Sequence, residues 1–189
     1  ILRSIGRLGF PLFCFLLVEG FLHTKHFGKY AFRLFVFALI SEIPFNLAFS
    51  GRMFFSSYQN VFFTLLIGLL TMWGCKQIEE KIAIHAGLQM LLKIPVILVG
   101  YFVAERLYTD YAGLGVICIM VIYLFRQNRI IQAFSGAVAF MWEIPAPLAF
   151  VPVVFYNGKR GWKMKYFFYI FYPAHLLLLY LMAYFFVLT

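Results

Sequence analysis

The chain has 189 residues, of which 64% are apolar, 21% aromatic and 12% charged, far from the roughly 45–50% apolar and 25% charged of soluble domains. That balance excludes an ordinary soluble enzyme and makes lipid the main solvent. Sixteen Lys and Arg against seven Asp and Glu give a formal charge of +9, but the basic residues gather at the ends of apolar runs, which fits membrane topology better than a nucleic-acid footprint.

In chain order the apolar runs cover about 8–22, 31–49, 60–75, 87–104, 112–125, 130–142, 145–156 and 166–188. The expected fold is all-α, a single polytopic transmembrane helical bundle of about eight spans, several short or re-entrant. The chain opens at Ile1 in mid-pattern and without an initiator Met, so a further N-terminal span is expected ahead of it. The stretch 130–156 reads as a hairpin of two short helices, broken at Glu143-Ile144-Pro145-Ala146-Pro147, because a residue before proline is driven out of helical geometry. A hairpin here also places the loops carrying Lys25 and Lys29, Lys76 and Lys81, Arg126 and Arg129, and Lys159 to Lys165 on one face. By the positive-inside rule that face is cytoplasmic. A span of fourteen residues reaches only about 21 Å against a hydrocarbon core of about 30 Å, so a cavity within the bundle is expected.

Cys14, Cys75 and Cys118 all fall within apolar runs with no metal-ligand spacing, and read as small hydrophobes. Ionisable groups inside spans cost about 2.5–3.5 kcal/mol on insertion scales, so each is a candidate. Glu19 and His23 stand one helical turn apart, where the carboxylate is expected to fix the imidazole tautomer of a general base; the alternative is an ion pair at the headgroups. Glu42 and Asn46 repeat that spacing around Pro44, as substrate contacts or as polar glue at a kink. His175 lies beside Pro173 in the otherwise apolar last span, and a buried imidazole there is expected to face a cavity. Arg3 and Arg7 run against the positive-inside trend and are either headgroup or anion contacts. Asp110 reads as the N-cap of the fifth span. The turn Asn157-Gly158-Lys159-Arg160-Gly161 joins glycines to basic charge, suiting either a nucleotide-like phosphate or anionic lipid.

Gly6 to Phe13, Glu19-Gly20-Phe21-Leu22-His23-Thr24, Ser41-Glu42-Ile43-Pro44-Phe45-Asn46-Leu47 and Asn60-Val61-Phe62-Phe63-Thr64 resemble the TraX family. Asp110-Tyr111 with Gly113, Tyr156 to Gly161 and Phe171-Tyr172-Pro173-Ala174-His175-Leu176 extend the likeness over the whole chain. TraX is named for acetylation of the F-pilin N-terminus and resembles the larger group of integral-membrane acyltransferases. The resemblance implies acetyl-CoA as co-substrate and an amine or hydroxyl acceptor on a pilin or surface glycan. It also implies a catalytic histidine in a first span ahead of this numbering, with Glu19, His23 and His175 as matching motif positions.

On this reading His23, Glu19 and His175 are catalytic. Lys159, Arg160, Asn157 and Arg33 meet the acyl-CoA, while Arg7 and Asn60 are donors for the oxyanion and Glu42 and Asn46 contact substrate. Membrane lipids are the other expected partner. A proton-coupled transporter using the same groups, or a scaffold in which they only fasten helices, would turn over no CoA.

Overall fold

A computed structural model describes residues 7–53, 55, 57–82, 85–158 and 165–187. Eight α-helices and one 3-10 segment make up the described chain: α1 (Gly9–His23), α2 (Phe27–Ser50), α3 (Val61–Lys81), α4 (Ala86–Arg106), α5 (Ala112–Leu124), α6 (Arg129–Ala139), the 3-10 segment Ala146–Phe150 running into α7 (Val151–Val154), and α8 (Lys165–Val187). The helical membrane bundle expected from composition is what forms. Among the described residues, α2, α3 and most of α4 combine the length and apolarity to cross a bilayer unaided.

Local sequence sets the helix ends. Asn60 caps α3 by accepting the Phe62 N–H at 3.0 Å, and Asn128 caps α6 by accepting those of Ile130 and Ile131 at 3.0 and 3.2 Å, each satisfying donors that the first turn leaves orphaned. Gly51 closes α2 in the left-handed region at φ 66°. The third helix outruns its apolar pattern, continuing to Lys81 where the sequence suggested a loop from Lys76. The reason is tertiary: Glu79, on that extra turn, is held by Lys93 of α4 and by Arg126 beyond α5, each at 2.7 Å.

The core lies between α1, α3 and α5, where Cys14, Val18, Leu69, Met72, Val116, Ile119 and Ile122 are fully buried. Small residues allow close approach, as in other membrane bundles. Gly100 of α4 lies directly on Thr71 of α3, and Gly136 of α6 on the Phe150 ring; a Cβ at either would collide. Around this core α2, α4 and α8 turn large apolar side chains outward, among them Phe32, Phe49, Val99, Phe102, Leu178 and Phe185, as lipid-facing helices do. The tertiary contacts of α8 are chiefly with α2. All three cysteines are free and buried.

The stretch 130–156 is indeed a short hairpin, but its second arm is the 3-10 segment and α7, not a second span. Eleven residues of α6 reach only about 16 Å, so its tip, 140–145, packs back against the bundle. Trp142 there stands edge-on to Tyr111. Two grooves lie on the outside of the described bundle: an apolar one of about 360 Å³ on the hairpin at Phe134, Val138, Met141 and Ile144, and one of about 660 Å³ at Val99, Phe102 and Tyr108.

Candidate functional site

Successive helices run antiparallel, so the ends α1–α2, α3–α4 and α5–α6 meet at one end of the bundle, called here the basic end, and α2–α3 and α4–α5 meet at the far end. Polar groups concentrate at both.

At the basic end the expected Glu19–His23 contact does not form. Glu19 is buried, and a buried carboxylate needs a countercharge; it takes Arg129 of α6 at 2.9 Å. The same Arg129 nitrogen reaches Gln132 at 2.7 Å, and the guanidinium lies over the Phe15 and Tyr156 rings at 5.1 and 5.0 Å, a setting that planar, delocalised charge favours. Gln132 passes the connection on to the Ile122 carbonyl at 3.0 Å. His23 is exposed, and its Nδ1 pairs with the Glu19 backbone carbonyl at 2.9 Å. A carbonyl only accepts, so the neutral ring carries its proton on Nδ1 and leaves Nε2 as the basic nitrogen. Further along the same face, Glu79 accepts from Lys93, Arg126 and, at 3.3 Å, the Tyr123 hydroxyl, tying α3, α4 and α5 together. Arg33 packs against Tyr30, its carbon 5.8 Å from the ring, with Tyr169 nearby. Asn157 is exposed, while Lys159 and Arg160 lie outside the described residues, as does Arg3.

His175 follows the pattern of His23. Its Nδ1 pairs with the Phe171 carbonyl at 3.0 Å, and its ring stacks on Phe171 at 5.1 Å. It is part-exposed on α8, with Tyr172 edge-on to its ring at 5.5 Å. Among the described residues neither histidine bonds a carboxylate.

The far end gathers what the sequence left scattered. Asn60 donates to the Ala38 carbonyl at 2.8 Å and to Glu42 at 2.6 Å. Asn46 lies against the Glu42 carboxylate and donates to the Met53 carbonyl at 3.4 Å. Tyr172 of α8 lies near the start of α3, its ring edge-on to Phe62 at 5.1 Å, within electrostatic reach of Glu42 and Asp110. Tyr58 donates to Asp110 at 2.7 Å, and the Thr64 hydroxyl donates to the Asp110 carbonyl. Arg7 stands 3.5 Å from Glu143 and donates to the Ile144 carbonyl at 3.1 Å. The Tyr111 hydroxyl approaches the Glu143 carboxylate, and the Tyr111 ring stacks on Phe10 at 3.7 Å.

Asp110 is therefore not the side-chain cap the sequence suggested. Tyr111 is the N-cap of α5, at φ 64° and with no capping side chain. Tyr108 at φ 51° and Ala112 at φ 44° complete a loop whose backbone departures cost about 1–3 kcal/mol each. The loop is pinned by Gln59, which donates to the Tyr108 carbonyl at 2.9 Å and accepts the Asp110 N–H at 2.8 Å. Burial pushes the Asp110 carboxyl above its ordinary range, with the Tyr58 hydroxyl and the Tyr111 N–H pulling the other way.

Sequence reasoning named Arg7, the Glu42–Asn46 pair and Asn60 separately; the fold puts them at one end and adds Tyr58, Asp110, Glu143 and Tyr172 to the cluster. Three polar side chains within apolar runs, Glu42, Asn46 and Asn60, were a legible signal. Tyr58 gave none.

The TraX protein family model matches residues 1–183. A probable fimbrial assembly protein, FimC of serogroup H1 from Dichelobacter nodosus, is 33% identical over 94% of this chain and 81% of its own length. No solved structure matches the chain.

Proposed function

Because the chain belongs to the TraX family, we propose that this membrane protein is an acyltransferase carrying an acetyl group from acetyl-CoA to an amine or hydroxyl acceptor of a pilin or surface glycan. The observation that carries the reading is the family match over nearly the whole chain, and the relative's role in fimbrial assembly favours a pilus-related acceptor.

The division of charge between the two ends supports it. Acetyl-CoA is an anion, and the basic end, cytoplasmic on this reading in a bacterial inner membrane, offers Lys25, Lys29 and Arg33. His23 sits there with Nε2 free to act as base. In the transfer the acceptor nitrogen or oxygen forms a bond to the acetyl carbonyl carbon, the carbon–sulfur bond breaks, and the acceptor's proton passes through an imidazole to the departing CoA thiolate. Acceptor-bound acetyl and free CoA thiol are the products. Arg129 holds Glu19 and with it the α1 backbone carbonyl that orients His23, which makes both positioning residues.

The test is CoA release from acetyl-CoA by purified, bilayer-reconstituted protein, read together with acetyl-CoA binding. His23→Ala and His175→Ala variants, shown to be folded, run alongside. Turnover lost in one variant with binding retained would identify the base. Neither binding nor turnover by the parent protein would refute the acetyl-CoA reading.

A further inference from the structure

The far end holds buried oxygens that the protein itself does not satisfy. Asn46 is 2% exposed and its Oδ1, beside Glu42, accepts no hydrogen bond; Ser41, adjacent to Glu42 in the chain and fully buried, has a hydroxyl without a partner; Oε2 of Glu143 is buried and unpaired. An unmet buried polar group costs about 1–3 kcal/mol, and two within one polar cluster, at Asn46 and Glu143, call for a common explanation. Asn46 Oδ1 and, with Glu143 ionised against Arg7, Glu143 Oε2 can only accept, so the group that completes them is a hydrogen-bond donor.

Charge points the same way. Glu42, Asp110 and Glu143 are carboxylates; Arg7 pairs with Glu143 at 3.5 Å, while Arg52 and Arg106, at the same end, are exposed. An anion is repelled here. The hydroxyls of Tyr58 and Thr64 are already committed to Asp110, and the Asn60 amide to Ala38 and Glu42. Those donors are committed within the cluster, whereas acceptor positions at Asn46 and Glu143 remain open.

We propose that the far-end cluster of Glu42, Asn46, Asp110 and Glu143 is a binding site for a non-anionic head group rich in N–H or O–H donors, and that this head group belongs to the acyl acceptor. The identification with the acceptor rests on the acyl-transfer reading; the donor-binding site does not. It separates the two substrates by charge, the anionic acyl-CoA at the basic end and the donor-bearing acceptor at the other. Its chemistry is met either by a primary ammonium or by a vicinal diol, the head groups of an amine and of a sugar.

The experiment uses probes sharing a six-carbon tail, hexylamine, 1,2-hexanediol and hexanoate, titrated against the reconstituted protein by NMR saturation transfer and by shift of the unfolding temperature. Saturable binding of hexylamine or of hexanediol, at least tenfold tighter than hexanoate, is expected; the tighter of the two identifies the head group. Asp110→Asn and Glu143→Gln, measured separately so that one misfolded variant does not decide the matter, should each weaken the amine at least fivefold. Hexanoate binding as well as the others, no saturable binding by any probe, or unaltered affinity in two folded variants would overturn the proposal. Probe binding intact without any CoA turnover or acetyl-CoA binding would instead remove the acyl-transfer reading and leave the site standing.

Discussion

Replacing Glu79 by Gln tests whether one carboxylate ties three helices. Glu79 serves Lys93 and Arg126 at 2.7 Å each, and their side chains are only 9% and 15% exposed against its own 22%. Removing one partner from a buried pair leaves uncompensated charge and costs about 3–5 kcal/mol. Partial exposure of Glu79 selects the lower end, about 3 kcal/mol, and at about 2–4 °C per kcal/mol for a chain of this size the unfolding temperature should fall by about 6–12 °C. The built-in control is Glu80→Gln, which breaks only the exposed Lys76–Glu80 pair, one turn apart at 3.5 Å with side chains 42% and 55% exposed; such pairs contribute about 0.3–0.5 kcal/mol. Thermal unfolding in nanodiscs, followed by circular dichroism, measures both. A second step adds Lys93→Met to Glu79→Gln, which removes one orphaned cation and should recover part of the loss. If Glu79→Gln lies within 2 °C of Glu80→Gln (about 1 kcal/mol or less), the reasoning about the shared carboxylate is refuted.

Gly100→Leu should separate α3 from α4, because a side chain there meets Thr71; a drop in unfolding temperature of several degrees is expected, and unchanged stability would contradict the close packing. Arg129→Met leaves Glu19 buried without its countercharge and should destabilise more than Arg129→Lys, as urea unfolding would report. Asp110 titrates above its ordinary range in the fold because of burial, so its contribution is fully present below the unfolded-state pKa and is lost as pH rises through the raised folded value. Stability measured upward from pH 4 should therefore fall through that window in the parent protein, and the Asp110→Asn variant should lack that component.

Composition alone settled that this is a helical membrane protein, and the pattern of apolar runs located its helices to within a few residues at most ends. These features are local. A run of about 20 apolar residues must satisfy its own backbone in lipid and does so as a helix, and Asn60 and Asn128 mark helix starts by chemistry confined to one turn. The break at Pro145 was legible for the same reason, since proline constrains its immediate neighbour. The motifs from Gly6 to Leu176 were also enough to identify the family, because they depend on residue type and order and not on contacts.

Partnership was not legible. Glu19 has His23 one turn away, yet pairs with Arg129, 110 positions along the chain, and Glu79 reaches across to α4 and the end of α5. A helix offers its own neighbours only weak interactions of about 0.2–0.5 kcal/mol, whereas a buried carboxylate must find a full countercharge, and which cation reaches it depends on how distant helices pack. The far-end cluster has the same origin: Arg7, Glu42, Asn60, Asp110, Glu143 and Tyr172 come from six separate elements, and only the antiparallel bundle brings them to one end. Spacing within a helix thus determined which polar residues were candidates. The tertiary fold decided which of them meet, because charge in a low-dielectric interior is governed by its nearest partner in space and not by its neighbour in sequence.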